Sequence, residues 1–169
     1  MSTLPELIID IISLSGRKLV GRTRLQKTVY LLDACGLNSG ASYYYYNFGP
    51  FSDDVANGIS DGKFSDLIQE ETSYRQIDGS PFSIFKTQKT PDTISKLGSL
   101  NVEKAKQMLE KLNSTSAVVL ELAATIHWLQ FIEKVPDWRT ELQRRKGSKT
   151  GNGRADQAQS LLVEMGFVL

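Results

Sequence analysis

Four consecutive tyrosines, Tyr43-Tyr44-Tyr45-Tyr46, lead into Asn47-Phe48-Gly49-Pro50-Phe51-Ser52, and this run constrains the fold more than any other part of the chain. Successive aromatic residues suit a pleated, half-buried strand. Alternate side chains of a strand point to opposite faces, so two tyrosines are expected inward and two outward. The strand is predicted over 41–48 and broken by Gly49-Pro50. Ser52 can then cap a helix to about Ser60, with Asp53 and Asp54 in its favourable first turn. Upstream, Gly21-Arg22-Thr23-Arg24-Leu25-Gln26-Lys27-Thr28-Val29-Tyr30-Leu31-Leu32 reads as a basic helix over 23–35. Leu25, Val29, Leu32 and Cys35 form its apolar stripe, and Gly36 is a natural stop.

The remaining elements follow from caps and periodicity. Thr3-Leu4-Pro5-Glu6 combines a capping box with a tolerated first-turn proline. The apolar residues from Leu4 to Leu14 then repeat at helical spacing until Gly16. A short helix is expected around 63–70. Two β-type runs, 72–77 and 82–87, flank Asp78-Gly79-Ser80-Pro81 and predict a hairpin. Beyond Thr90-Pro91-Asp92 the chain turns helical. Asn101 caps one helix and Ser116 starts another. The second is apolar over most of its circumference and is expected at the centre of the core. Pro136-Asp137-Trp138 opens a helix to about Arg145, residues 147–153 form a polar basic loop expected to be a mobile tip, and 155–165 close the chain.

This order predicts a mainly α (α+β) single domain over 1–169. Its N-terminal half, 1–90, is winged-helix-like with a β-hairpin, and 91–169 is a C-terminal helical bundle. With 169 residues, 40% of them hydrophobic, the chain has enough apolar material for one core without disulfides or metal. One cysteine, Cys35, and one histidine, His127, cannot make a tetrahedral zinc site, so neither metal nor cofactor is expected. A net charge of +1 gives no global argument for nucleic acid. No apolar run approaches the ~20 residues that span a bilayer. The N-terminus also lacks the basic start of a secretory signal. The expectation is a cytoplasmic protein without a membrane partner.

Function must therefore rest on local clusters. Arg17, Lys18, Arg22, Arg24 and Lys27 form a basic set with no intervening acid, suited to phosphates or an acidic protein surface. The same residues also suit a solvated helix face. Arg22 and Arg24 stand at a helix N-terminus, where the dipole disfavours cations, which points to a partner elsewhere. Tyr43, Tyr44, Tyr45, Tyr46, Phe48 and Phe51 offer rigid aromatic contacts typical of interfaces, or else a covered structural strand. Arg144, Arg145 and Lys146 belong to a second basic stretch that suits either nucleic acid or a solvated loop. His127 lacks a carboxylate on its own helix face, and adjacent carboxylates such as Asp53-Asp54 do not face each other on a helix. No phosphate loop, nucleophile elbow or zinc-helix motif is present, so no catalytic residues are assigned and the chain is expected not to be an enzyme.

The segments Gly21 to Lys27, Val29 to Leu32 and Tyr46 to Ser52 resemble the opening of YwgA-like bacterial and archaeal proteins. More distantly they resemble the SocA-like antitoxin domain called Panacea. Both place a Leu-Gln-Lys helix, here Leu25-Gln26-Lys27, before an aromatic strand ending in Tyr-Gly-Pro. Phe48 stands here in place of the tyrosine. The likeness covers about the first 60 residues. Leu120 to Thr125 and Leu161 to Gly166 resemble later helices of the YwgA-like group. The resemblance implies a non-enzymatic prokaryotic module that acts through a protein partner, a toxin or phage-defence effector, using Arg22, Arg24, Lys27, Tyr43 to Tyr46, Phe48 and Phe51. The alternative, from the winged-helix-like element order and the basic cluster, is a DNA-binding transcriptional regulator using Arg22, Arg24 and Lys27 with the hairpin at 72–87, whose tip is acidic.

Overall fold

The first helix, α1 (Leu4–Leu14), begins at the expected capping box: the Thr3 N–H donates to Glu6 and the Glu6 N–H donates to the Thr3 hydroxyl. A computed structural model describes residues 1–169. After α1 come β1 (Lys18–Val20), α2 (Arg22–Ala34), β2 (Tyr44–Tyr46), β3 (Gly49–Phe51), α3 (Asp53–Phe64), β4 (Gln69–Tyr74) and β5 (Pro81–Lys86). The two-residue strands β6 (Lys96–Leu97) and β7 (Leu100–Asn101) precede α4 (Val102–Asn113) and α5 (Ala117–His127). A π-helical turn over Trp128–Ile132 extends α5, and α6 (Trp138–Lys146) and α7 (Arg154–Glu164) complete an α+β chain.

The strands form three small antiparallel sheets. One has the order β1-β5-β4, with Leu19 opposite Phe85; the others are the β2–β3 and β6–β7 hairpins. Leu19 and Phe85 are both buried, and this inner face of the sheet closes against α1 and α2. A single hydrophobic cluster draws residues from every helix, α1 through α7. At its centre lies α5, buried continuously from Val119 to His127, as its all-round apolar pattern predicts. No single helix is long and apolar enough to cross a membrane.

Several elements differ from the sequence-based expectation. The strand predicted over 41–48 is only three residues long, and Gly49-Pro50 does not end the pairing but starts its return strand. Gly49 makes this possible by taking φ +94°, where a side chain is strained, so that a two-residue turn closes on Tyr46. The helix expected around 63–70 is absent. α3 runs on to Phe64, Asp66 turns the chain at φ +57°, and Gln69-Glu70 enter β4. Glu70 favours that arrangement because Arg22, Lys63 and Ser83 all donate to its carboxylate there. The hairpin predicted from Asp78-Gly79 is present but begins earlier, at Gln69 rather than Thr72. Residues 147–150 form a 3₁₀ turn that is tied down: Arg154 donates to the carbonyls of Lys149 and Ser148 at 2.6 and 2.9 Å.

Candidate functional site

The Leu-Gln-Lys segment is a clamp for the aromatic hairpin. Leu25 is fully buried and faces the core. Gln26, next on α2, uses both ends of its amide on one backbone residue. Its Nε2 donates to the Ser52 carbonyl at 2.9 Å, and its Oε1 accepts from the Ser52 N–H at 3.0 Å. Lys27 extends beside it and donates from Nζ to the Pro50 carbonyl at 2.6 Å. These contacts satisfy main-chain groups that no β-partner reaches, at the point where β3 becomes α3. Ser52 then caps α3 by accepting from the Val55 N–H.

Lys27 is 1% exposed, so the expectation that it presents its charge to a partner is corrected. Burial pushes its ammonium down to about 8. Glu121 pulls against that shift, and Lys146 adds to it. The counter-charge comes from α5: Glu121 holds Lys146 at 2.9 Å, each side chain only 4% exposed, and Lys149 at 3.0 Å. Lys146 is therefore a buried ion-pair partner and not a surface cation. Sequence reasoning missed Gln26 and Glu121. For Glu121 a signal existed, since it is the lone acid in a helix that is apolar on every side.

The hairpin divides its rings as strand alternation requires. Tyr43 and Tyr45 turn inward. Tyr43 donates to Asp33 at 2.6 Å and packs edge-on to Tyr30. Tyr45 lies near Trp128, with the Arg145 guanidinium 4.7 Å and the Lys146 ammonium 5.7 Å from its ring centre. Two of the four tyrosines expected at an interface are thus packed into the protein. Tyr44 and Tyr46 turn outward, 41% and 52% exposed, and with Phe51 make a three-ring cluster whose centroids are 5.8–5.9 Å apart. The Tyr44 hydroxyl donates to Asp53 at 3.2 Å, joining this cluster to the start of α3. Phe48, at the turn, is 52% exposed with the Lys149 ammonium 5.0 Å from its ring centre.

The two basic sets are largely consumed inside the molecule. Arg22 forms a two-point ion pair with Glu70. Arg24 reaches across to the end of α4 and donates to the carbonyls of Leu112 and Thr115, both at 2.6 Å. Arg17 donates to Gln88, while Lys18 stands exposed on β1. Arg144 pairs with Glu141, and Arg145 bridges Glu133 and Glu141. The structure does not assemble Arg17, Lys18, Arg22, Arg24, Lys27, Arg144, Arg145 and Lys146 into one free cationic face.

His127 is a packed core residue. Its Nδ1 lies 2.7 Å from the Tyr30 hydroxyl, and its ring is flanked by Phe131 and Phe167. Burial lowers its pKa to about 4, which keeps it neutral around pH 7. No group of three or more His, Cys, Asp or Glu side chains is placed to hold a metal ion. No protein-family model matches the chain, and no curated protein matches it.

Proposed function

We propose that this chain is a non-enzymatic protein-binding module, antitoxin-like or regulatory, whose contact surface is the outer face of the β2–β3 hairpin. One observation carries the reading: Tyr44, Tyr46 and Phe51 are gathered at the surface on a hairpin held by buried backbone clamps. Large rings with two side-chain torsions lose little entropy on binding and dominate interface energetics. A preformed hairpin further reduces the cost of association. The resemblance to YwgA-like and SocA-like proteins adds weight. Of the segments that carry it, Gln26 and Lys27 hold the hairpin's end, and Gly49 and Pro50 lie in its return strand. A toxin or phage-defence effector of a prokaryotic cytoplasm is the corresponding partner.

A second reading has its own support. The order α1-β1-α2-α3-β4-β5 with sheet order β1-β5-β4 supports a winged-helix frame for the first 90 residues, with β2–β3 inserted between α2 and α3. In helix-turn-helix docking the second helix of the pair enters the major groove. Here that helix would be α3, which carries Asp53, Asp54 and Asp61, and the β4–β5 tip carries Asp78. These charges disfavour phosphate contact, so the frame is better suited to protein than to DNA.

Capture from native extract tests the proposal. The tagged wild-type protein is expected to retain a defined partner that Tyr44→Ser/Tyr46→Ser loses while its melting temperature is unchanged. Equal recovery by both proteins refutes the hairpin as the contact face. DNA affinity that falls steeply with salt would promote the second reading.

A further inference from the structure

We infer that the solvent side of α3 completes the contact surface, and that the partner it takes is basic: a protein face on which arginine or lysine side chains alternate with apolar ones. The inference rests on the hairpin being the binding face and specifies what binds there. Asp53, Asn57, Asp61 and Phe64 lie at positions i, i+4, i+8 and i+11, so they share one stripe of α3. The opposite stripe, Val55, Gly58, Ile59 and Gly62, is buried. Two glycines hold that face close to its neighbours, since a Cβ at Gly58 would lie 2.7 Å from Ile8 Cδ1 and one at Gly62 2.5 Å from Ile68 Cδ1. The hairpin and α3 are also stitched at their ends, through Tyr44 to Asp53 and through the Ser42 N–H to Asp54 at 2.9 Å. The rings and the acidic stripe therefore present as one body.

The charge on this face is uncompensated. Asp53, Asp54 and Asp61 are exposed. The one cation of α3, Lys63, is turned to Glu70 at 2.7 Å. The stripe is about 16 Å long at 1.5 Å per residue. It runs from the three rings to Phe64, 92% exposed, with Leu67 beyond it at 53%. A cationic side chain seated on the faces of Tyr44 and Tyr46 gains from the ring quadrupoles and meets the Asp53 carboxylate beside them. An apolar side chain further along finds Phe64. Nucleic acid or an acidic protein meets three carboxylates at the same place and is repelled.

The test uses the full chain with two unstructured peptides of equal length, one of alternating arginine and leucine and one of alternating glutamate and leucine, plus a short duplex DNA. Binding is mapped by backbone amide shifts. The arginine peptide is expected to move the resonances of residues 42–64. Asp53→Asn and Asp61→Asn are each expected to weaken it about threefold at low salt. The difference should vanish near ~0.5 M salt. Equal binding of the glutamate peptide, binding of the duplex to this face, or an affinity indifferent to both aspartate variants overturns the inference. Capture of the native partner separates the two levels. Loss with Tyr44→Ser/Tyr46→Ser but full retention with Asp53→Asn/Asp61→Asn leaves the hairpin reading standing and removes this one, whereas retention in both removes the hairpin reading itself.

Discussion

Replacing Lys27 by methionine should change how stability depends on pH. In the folded chain Lys27 is 1% exposed and its pKa is about 8. In the unfolded chain it returns to the ordinary lysine value, near ~10.4. Because the folded value is depressed, the native state is disfavoured wherever Lys27 is charged in both states, below about pH 8. Between the two values the unfolded chain binds the extra proton, so stability rises with pH. Integrating the two titrations gives about 2 kcal/mol gained from this residue between about pH 7 and about pH 9.5, out of about 3 kcal/mol in all. Tyr30 and Tyr43 are raised by burial and act oppositely at higher pH, but their effect cancels between wild type and Lys27→Met. Urea unfolding at several pH values measures the difference. The wild-type midpoint should climb relative to the variant by the stated amount over that interval. Parallel curves would refute the burial of Lys27 under the hairpin and, with it, the clamp.

Three further perturbations probe the same region, each read by chemical denaturation. Gln26→Met removes both contacts to Ser52 and leaves its buried N–H without a partner, while the Ser52 carbonyl keeps the Ala56 N–H, for an expected loss of about 1–3 kcal/mol. Gly49→Ala places a Cβ 2.7 Å from the Thr125 hydroxyl at φ +94° and should cost about 2 kcal/mol, with weaker partner capture as the turn shifts. Glu121→Gln leaves Lys146 buried without its counter-ion and should cost about 3 kcal/mol. An unchanged midpoint in any of these would contradict the packing or contact it perturbs.

Helix starts were legible because caps are local. Thr3, Ser52, Asn101 and Ser116 each accept from an N–H in the first turn of the helix they were expected to start, and Asp137 does the same where Pro136-Asp137-Trp138 was expected to open one. The split of the four tyrosines was legible for a similar reason, since strand alternation depends on neighbours alone. The strand β1 was not: its three residues pair with Ile84 to Lys86 of β5, far along the chain, and nothing within Lys18–Val20 announces that partner. The basic clusters misled for the same physical cause. A cation near a helix start reads as solvent-facing until its acceptor is known. The acceptors here are remote in sequence: Pro50 for Lys27, Leu112 and Thr115 for Arg24, and Glu121 for Lys146. The candidate site was therefore visible as a set of rings and hidden as a set of supports.

Gln26 and Lys27 grip only peptide-group atoms of Pro50 and Ser52, never a ring of the hairpin. On the proposed binding role, anchorage and recognition are thereby largely uncoupled. The outward residues at 46 and 51 can be exchanged for other shapes without losing a hydrogen bond that seats the loop, and only Tyr44 has a tie of its own, to Asp53; under that proposal a lineage built on this frame would change what it holds while keeping the means of holding it.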